Sequence, residues 1–511
     1  MRTSATPEPT ATPVESRARL DRALVGGLAW SAAGRWLSQL ARWAATVMTA
    51  WFLTPADYGI VGLTMLVVGF LQYFAEFGFG AAIVQQRSLP ASIVRQIGGA
   101  SVLIAAGLAV LMTLTAPVAA RFFGQPALAA LLPLMSIRLF IDAFAVVPRS
   151  VLLRDMEFRK LSLLEGLESI LVAVITVGTA WVTRSYWALI VGNLTSGLAF
   201  VVGVTLVARN GPSIPRAFRE IRSQMAFGWN VVVSRLAWYG YSNADFAIVG
   251  RVMNATVLGL YTFAWSIAAL PAEKLSGLVL AVAPSIMSAA RTVPGEMRRY
   301  YLLLLRGVAL VTFPVAVGLA LVSADLVHAV FGSKWEGAVV PLQLLALFFG
   351  VRSVATLAPV VMIASGEPKV DRNNSLAFLL VLPPLFLVAT RWGLAAVAAT
   401  WLIVYPALFA VLGQRWILKR LQIGVGEFFA EVWPAVASVS LMAAVVTITS
   451  GILDGAFPLV RLLVLSAVGA ITYLAIVRTL FREVFDAALW TIRNRGVPGM
   501  PASAGAIGPE P

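Results

Sequence analysis

Long apolar stretches repeat along the whole chain, and the short connections between them are alternately basic and nearly uncharged. Each stretch has roughly 18–25 residues, enough for a helix to cross a hydrocarbon core of about 30 Å, and we count about fourteen of them. Roughly 27 of the 39 Lys and Arg residues lie in the terminal tails and in every second connection. Because short cytoplasmic loops retain Lys and Arg, this pattern predicts an all-α polytopic membrane protein with both termini in the cytoplasm.

The composition argues against several other classes of protein. Hydrophobic residues make up 59% of the chain and charged residues only 12%, whereas soluble proteins have about 25% charged residues. The net charge of +15 is spread over separate loops, so we expect no nucleic-acid partner. The chain has no Cys, a single His, no phosphate-binding Gly-Lys-Ser/Thr loop and no His-Glu-x-x-His motif. We therefore expect no catalytic residue, no metal and no cofactor.

The order of the stretches predicts two lobes of six helices each, followed by two further helices. The predicted segments are a disordered tail (1–23), a first lobe (24–208), a cytoplasmic connection (209–225), a second lobe (226–412), a basic loop with two spans (413–478) and a cytoplasmic tail (479–511).

Identities between the two lobes indicate an internal repeat. At an offset of 200 residues, Arg35 matches Arg235 and Gly59 matches Gly259. Six spans per lobe give both lobes the same orientation, and substrate sites in such folds lie between the halves near the membrane midplane.

Ten charged residues fall within the predicted spans, where each would cost roughly 2.5–3.5 kcal/mol if it lay mid-helix. They are Arg35, Arg42, Glu76, Arg138, Asp142, Arg235, Asp245, Glu273, Lys274 and Arg352. So many charges cannot all face lipid, so they must pair with one another or line a wet cavity.

Arginine residues at equivalent places in the two lobes are the strongest candidates for substrate binding. Arg35 and Arg42 share a face of the first span, and Arg235 takes the place of Arg35 in the second lobe. Arg keeps its charge and binds phosphate with two parallel donors. We predict that Arg35 and Arg235, with Arg42 and Arg352 in second rank, line a cationic cavity. Structural pairing between helices is the alternative.

The acids within the spans have two possible roles. Arg138 and Asp142 are four residues apart, a spacing that predicts an internal ion pair. Glu76 and Asp245 are candidates for carrying a coupling proton or ion, and equally for structural pairing.

Four short motifs give the chain a resemblance to a known family. Leu53–Gly59 resembles its Leu-Gly-Pro-x-Asp-Tyr/Phe-Gly turn, and Leu153–Lys160 resembles its Arg-x-x-x-Phe-Arg loop. Gly250-Arg251 with Gly259–Tyr261 resembles the Gly-Arg…Leu-Gly-x-Tyr segment of the second half. Phe331–Trp335 resembles the more specific Phe-Gly-x-Lys-Trp loop. From Leu24 to Arg478 the chain resembles Wzx-type polysaccharide flippases of the multidrug/oligosaccharidyl-lipid/polysaccharide exporter superfamily, in particular the colanic-acid and exopolysaccharide branch.

The resemblance implies about fourteen helices, with two six-helix lobes forming a V around a central cavity. It implies a location in the bacterial inner membrane and a cargo of undecaprenyl-pyrophosphate-linked oligosaccharide. Membrane lipids, a polysaccharide polymerase and a chain-length regulator are the other partners it suggests. The alternatives are a peptidoglycan-precursor flippase, a multidrug or organic-cation exporter of the same fold, and a membrane enzyme of polysaccharide assembly.

The alternating charge yields a topology that thiol labelling tests. Single Cys residues introduced into this Cys-free chain should resist membrane-impermeant thiol reagents in intact cells when placed near the predicted cytoplasmic positions. These positions are Arg95, Arg159, Arg219, Arg298, Arg372 and Lys419. A Cys at Gln125, in a predicted external loop, should be labelled and serves as the control. Labelling near Arg219 or Arg298 would contradict the topology.

Overall fold

The chain is helical throughout the part that its computed structural model describes. That part is residues 43–482 except 77–78, 81–82, 84–88, 156, 209–221, 281–282, 292 and 294. Residues 43–52 are helical. The helices that follow in the first half are α1 (Pro55–Glu76), α2 (Ala91–Phe123), α3 (Leu128–Arg154), α4 (Phe158–Thr183), α5 (Trp187–Ala208) and α6 (Arg222–Val252).

The second half continues with long helices that are interrupted by short helical turns. The α-helices are α7 (Ala255–Leu280), α8 (Ala283–Ala290), α9 (Glu296–Leu326), α10 (Val339–Ala355), α11 (Leu357–Ala364), α12 (Pro368–Ala389), α13 (Leu394–Phe409), α14 (Arg415–Leu421), α15 (Val425–Ile452) and α16 (Pro458–Leu480). The π-helical turns are Val327–Phe331 and Ala410–Gln414, and the 3-10 turns are Ser333–Ala338 and Thr390–Trp392.

Twelve helical segments of the described residues are long and apolar enough to cross a membrane. The predicted class, an all-α polytopic membrane protein, is therefore confirmed. The count of about fourteen spans stays a prediction, since the first predicted span begins at Leu24, outside the described residues. Helix α6 contains Arg235 and Asp245 among Ser and Asn residues and is not among the twelve segments.

Large apolar side chains on the outside of the helices fit a lipid environment. Leu114, Val182, Leu380 and Ile452 have exposed fractions of 72%, 75%, 76% and 78%. Water would penalise such a surface, whereas lipid tails solvate it, and helices satisfy their own backbone groups within hydrocarbon. The protein is a multi-pass membrane protein.

The described chain divides into two compact units. The first contains residues 43–54 and Leu63–Leu236, and the second contains Pro55–Gly62 and residues 237–482. In the first unit, α2 packs against α3, and α5 packs against both α3 and α4. Its core includes the fully buried Ile97. In the second unit, α9 packs against α7, α10, α15 and α16.

The last two long helices are both attached to α9 by polar contacts. Two ion pairs join the start of α15 to α9, and one hydrogen bond joins α16 to α9. Arg298 donates to both carboxylate oxygens of Glu427 at 2.7 Å, and Arg306 donates to Glu431 at 2.5 Å. The Tyr473 hydroxyl donates to the carbonyl oxygen of Leu310 at 2.7 Å. Because lipid provides no hydrophobic force between helices, such contacts help to fix α15 and α16 in place.

Within the second unit, the first turns of α1 cross the first turns of α7 at backbone contact. We call this contact the glycine crossing (Pro55–Gly62 against Ala255–Thr262). A Cβ atom on Gly59 would overlap the carbonyl oxygen of Ala255, and one on Gly259 would overlap that of Pro55. The two contacts correspond to each other under the sequence repeat, since Gly259 and Ala255 lie 200 positions after Gly59 and Pro55. Small residues permit such close approach between helices.

The glycine crossing predicts a loss of stability when either glycine gains a side chain. Gly259→Ala should lower the free energy of unfolding by roughly 1–3 kcal/mol, because the helices must separate to admit the methyl group. The melting temperature of the purified protein in detergent reports this change. Gly307→Ala is the matched control in the same unit, since nothing lies within 4 Å of its Cβ position. It should be neutral or stabilising by up to about 1 kcal/mol, and equal melting temperatures for the two variants would contradict the prediction.

Candidate functional site: charged side chains within the spans

A cluster of charged and amide side chains lies inside the first unit. The Nε of Arg138 on α3 donates to both carboxylate oxygens of Asp142, at 2.7 and 2.8 Å. Its Nη2 lies 3.4 Å from the carboxylate of Glu168 on α4. Its Nη1 donates to the backbone carbonyl of Asn193 on α5. Three helices therefore hold one guanidinium group.

The packing of α5 leaves room for that guanidinium group because residue 197 is glycine. A Cβ atom on Gly197 would overlap Nη1, Cζ and Nε of Arg138. The side chains of Arg138, Asp142 and Glu168 are only 15%, 25% and 24% exposed. Two carboxylates share one guanidinium group close to the middle of the 27-residue helix α3, so the ionised cluster would carry a net charge of −1.

Of the two acids Glu165 and Glu168, only the second departs from the arrangement that the sequence alone predicts. Their position near a cytoplasmic helix end, beside Arg159 and Lys160, predicts a solvated cluster. In the structure Glu168 faces Arg138 instead, and Glu165 pairs with Arg149 at 3.0 Å. The periodicity of α4 turns Glu168 toward the neighbouring helices, where Arg138 is available.

A second site lies in the second unit, around Asp245 on α6. Asp245 is fully buried. One carboxylate oxygen, Oδ2, accepts hydrogen bonds from the Tyr261 hydroxyl at 2.6 Å and from the Trp401 indole N–H at 2.7 Å. The other oxygen, Oδ1, has no hydrogen-bond partner among the described residues.

Aromatic rings surround this carboxyl group. Trp265 lies 5.6 Å from Trp401 between ring centroids, and Phe348 lies 5.0 Å from Trp401. Phe246 lies 5.2 Å from Tyr261. The aromatic layer keeps water from Asp245 and leaves Tyr261 and Trp401 as its side-chain donors among the described residues.

The guanidinium groups of Arg352 and Arg235 lie over aromatic rings. In the second unit, the Cζ of Arg352 is 5.8 Å from the ring centroid of Phe348 and 5.6 Å from that of Phe349. Among the described residues, Arg352 forms no ion pair with a carboxylate. In the first unit, the Cζ of Arg235 is 5.9 Å from the ring centroid of Tyr73, and the Arg235 side chain is exposed.

Three of the predicted site residues have no described side chain. Arg35 and Arg42 lie outside the described residues, and Glu76 is the last residue of α1 with only its backbone described. Glu273 and Lys274 on α7 are both exposed. Among the described residues, no group of three or more His, Asp or Glu side chains could hold a metal ion.

Sequence reasoning missed the partners that complete both sites. Tyr261 and Trp401 are 16 and 156 residues from Asp245, and Asn193 is 55 residues from Arg138. Nothing in the local spacing links these residues. The family-like Gly-Leu-Tyr segment that ends at Tyr261 is the sequence signal that points to the start of α7.

Comparison with known proteins identifies the family. The profile of a family described as polysaccharide biosynthesis protein matches residues 48–340, which is more than half of the 511-residue chain. The chain belongs to this family. Together with the relatives and the solved structure described next, this family confirms the resemblance to the Wzx-type flippases and identifies a transporter of polysaccharide biosynthesis rather than an enzyme.

Two relatives span most of the chain. It is 24% identical over 462 residues to the succinoglycan biosynthesis transport protein ExoT of Rhizobium meliloti (strain 1021), a match that covers 88% of this chain and 92% of that protein. It is 22% identical over 362 residues to the lipopolysaccharide biosynthesis protein WzxC of Escherichia coli (strain K12). That match covers 68% of this chain and 71% of WzxC.

A solved structure shares the fold. The lipid II flippase MurJ in its inward closed conformation superposes with a TM-score of 0.72 at 12% sequence identity, covering 89% of this chain and 99% of that chain. At this identity the similarity establishes the fold alone. The chain has the helical transporter fold of that flippase.

The cluster around Arg138 predicts a severe effect when its one positive charge is removed. Arg138→Ala would leave two carboxylates facing each other inside the membrane, which should cost roughly 3–5 kcal/mol of stability. Thermal unfolding and the amount of inserted protein would report the loss. Adding Asp142→Asn should restore part of it, because one of the uncompensated charges is then gone.

A neighbouring pair provides the control for this prediction. Arg149 and Glu165 also form an ion pair, but their side chains are 52% and 40% exposed. Arg149→Ala should therefore change stability by less than about 1 kcal/mol. If Arg138→Ala were as stable as the native protein, the cluster would not be held by its charges.

Proposed function

We propose that the protein moves undecaprenyl-pyrophosphate-linked oligosaccharide repeat units from the cytoplasmic to the periplasmic leaflet of the bacterial inner membrane by alternating access. Membership of a polysaccharide biosynthesis family and the fold shared with a lipid II flippase support this substrate class. The exported units serve cell-surface or exopolysaccharide assembly.

The observation that carries the proposal is the environment of Arg352. Its side chain is half-buried on α10, in a membrane-spanning segment that runs from Ser333 to Ala364. Among the described residues it contacts the rings of Phe348 and Phe349 but no carboxylate. Aromatic faces stabilise a guanidinium group by about 0.5–2 kcal/mol, well below the attraction of a true anion, so this charge can still bind one.

A pyrophosphate group is a suitable anion for such a residue. It is the part of the lipid-linked substrate that must leave water, whereas the polyprenyl tail can stay in the bilayer. Charge-assisted hydrogen bonds between guanidinium and phosphate are short, strong and bidentate. In the proposed mechanism Arg35 and Arg235 bind the pyrophosphate, and Arg42 and Arg352 contribute to the same cationic surface.

Asp245 is proposed to carry a proton during transport. Its carboxyl group is fully buried, and its Oδ1 is without a hydrogen-bond partner among the described residues. Burying a charged group without compensation is strongly unfavourable, so the observed environment suits the neutral acid. Glu76 remains a candidate for the same role from its sequence position alone.

Loss of the gene tests the substrate. Lipid-linked repeat units should accumulate on the cytoplasmic leaflet, and surface polysaccharide should fall.

Variants at the arginine residues test the mechanism in complemented cells. Arg35→Gln, Arg235→Gln or Arg352→Gln should each weaken substrate binding roughly 10- to 150-fold, which corresponds to the loss of one charge-assisted hydrogen bond of about 1.5–3 kcal/mol. Lys should retain more activity, because it keeps the charge and loses only the planar pair of donors.

Arg391→Gln is the matched control. Arg391 is exposed in the turn after α12, so its loss should leave export unchanged. Membrane levels of all variants need to be measured, since reduced insertion would imitate reduced transport. Native export by correctly inserted Gln variants at Arg35 and Arg235 would rule out the cationic-cavity mechanism. Normal polysaccharide together with new drug sensitivity in the deletion strain would rule out the substrate.

A further inference from the structure

Asp245 is hydrogen-bonded to a residue of the glycine crossing, where α1 and α7 are in backbone contact. Its Oδ2 accepts the hydroxyl hydrogen of Tyr261 at 2.6 Å. Tyr261 lies within the glycine crossing, two residues after Gly259 on α7. It is fully buried, so its hydroxyl group cannot turn to water without a movement of α7.

The glycine crossing transmits such a movement because its contacts are between backbones. Gly59 and Gly259 lie against the carbonyl groups of Ala255 and Pro55. One turn further along, a Cβ on Gly62 would be 3.0 Å from the Thr262 hydroxyl oxygen. Thr262 follows Tyr261 directly in the chain, so a displacement of Tyr261 also alters the contact with the start of α1.

The neutral acid and the carboxylate form of Asp245 differ in how well they fit the aromatic rings and the two donors around them. In the neutral acid, a proton on Oδ1 reduces the cost of leaving that oxygen without a donor. The carboxylate would have a bare, fully buried anionic oxygen, which is costly in a low-dielectric interior. The carboxylate therefore needs water or a cation, and either one must part the rings that surround it.

Apart from Tyr261, no ionisable side chain within the described residues forms a hydrogen bond or an ion pair with the Asp245 carboxyl group. Arg352 on α10 lies over the ring of Phe348, which is 5.0 Å from the ring of Trp401, the second donor to Asp245. Other titratable or charged groups on the helices around Asp245 include Tyr241 on α6, Glu273 and Lys274 on α7, Asp371 on α12 and Tyr405 on α13.

We propose that the hydrogen bond between Tyr261 and Asp245 links the glycine crossing to the protonation state of Asp245, so that the crossing is closed while Asp245 is neutral. When the proton passes from the carboxyl oxygen to an entering water, the O–H bond breaks and the carboxylate becomes hydrated. The Tyr261 hydroxyl donates more strongly to the carboxylate than to the neutral acid, so Tyr261 moves with the hydrated carboxylate, and the start of α7 separates from the start of α1. The inference rests on the proposed alternating-access transport but not on the identity of the substrate.

Thiol labelling of purified protein tests the proposal without any transport measurement. Ala255→Cys places a reporter at the crossing, where residue 255 is buried, and Thr256→Cys places an exposed reference beside it. The ratio of their labelling rates cancels the pH dependence of the thiol itself. From acidic to alkaline buffer this ratio should rise roughly 2- to 10-fold, the population change that corresponds to one hydrogen bond.

Three further substitutions are each combined with both reporter cysteines. They distinguish an effect of Asp245 from a pH-dependent loosening of the whole protein. Asp245→Asn imitates the neutral acid, so its ratio should stay low at every pH. Tyr261→Phe keeps the ring and removes the link between the carboxyl group and α7, so its labelling ratio should respond little to pH. Tyr301→Phe, which removes a buried tyrosine hydrogen bond to Gln414 in the same unit, should behave like the native protein.

Two results would overturn the proposal. One is an unchanged pH response in Asp245→Asn, and the other is a native ratio at all pH values in Tyr261→Phe. Because labelling requires no lipid-linked substrate, the expected labelling together with failed complementation would contradict only the proposed substrate. Native complementation with pH-independent labelling would contradict only this inference.

Discussion

An ionised side chain inside a hydrocarbon layer needs a counter-charge or water, and the protein meets this need in three different ways. Arg138 is surrounded by two carboxylates and a backbone carbonyl. Arg352 lies against aromatic rings. Asp245 lies among aromatic rings with two neutral donors. Only in the first arrangement do ionisable groups of opposite charge meet within the described residues, and it is the arrangement expected of a structural element. The other two leave a charge that a ligand or a proton can satisfy, as polar groups at functional sites in membranes do.

The hydrocarbon environment also limits which contacts can hold the helices together. Lipid solvates apolar side chains as well as a neighbouring helix does, so helices associate through close packing and polar contacts. The glycine crossing uses the first of these devices, and the attachment of α15 to α9 through Arg298 and Glu427 uses the second. Close backbone packing resists deformation, because a small displacement turns contact into overlap or void. An ionisable residue joined to such a contact can therefore influence more of the helix than its own side chain.

The features visible in the sequence are those that depend on short separations along the chain. Apolar length and loop charge predict the class of fold, and the four-residue spacing of Arg138 and Asp142 predicts a pair on one face of a helix. The repeat offset of 200 residues identifies Gly59 and Gly259 as equivalent, but not as partners in contact. The donors to Asp245 come from α7 and α13, and their choice depends on how distant helices pack. Sequence periodicity specifies which face of a helix is polar but not which helix will cover it.

The proposed anion site and the proposed proton site share one aromatic layer. Phe348 contacts the guanidinium group of Arg352 on one side, and its ring lies 5.0 Å from Trp401, which donates to Asp245. A proton leaving Asp245 creates a negative charge behind this layer, and a low-dielectric interior weakens such a field less than water does. In the proposed mechanism the new charge would compete with an anion for Arg352 and would favour anion release. By linkage, an anion bound at Arg352 must favour the protonated Asp245 by the same free energy. Substrate binding and proton binding would then support each other through Coulomb forces alone, without a contact between the two ligands.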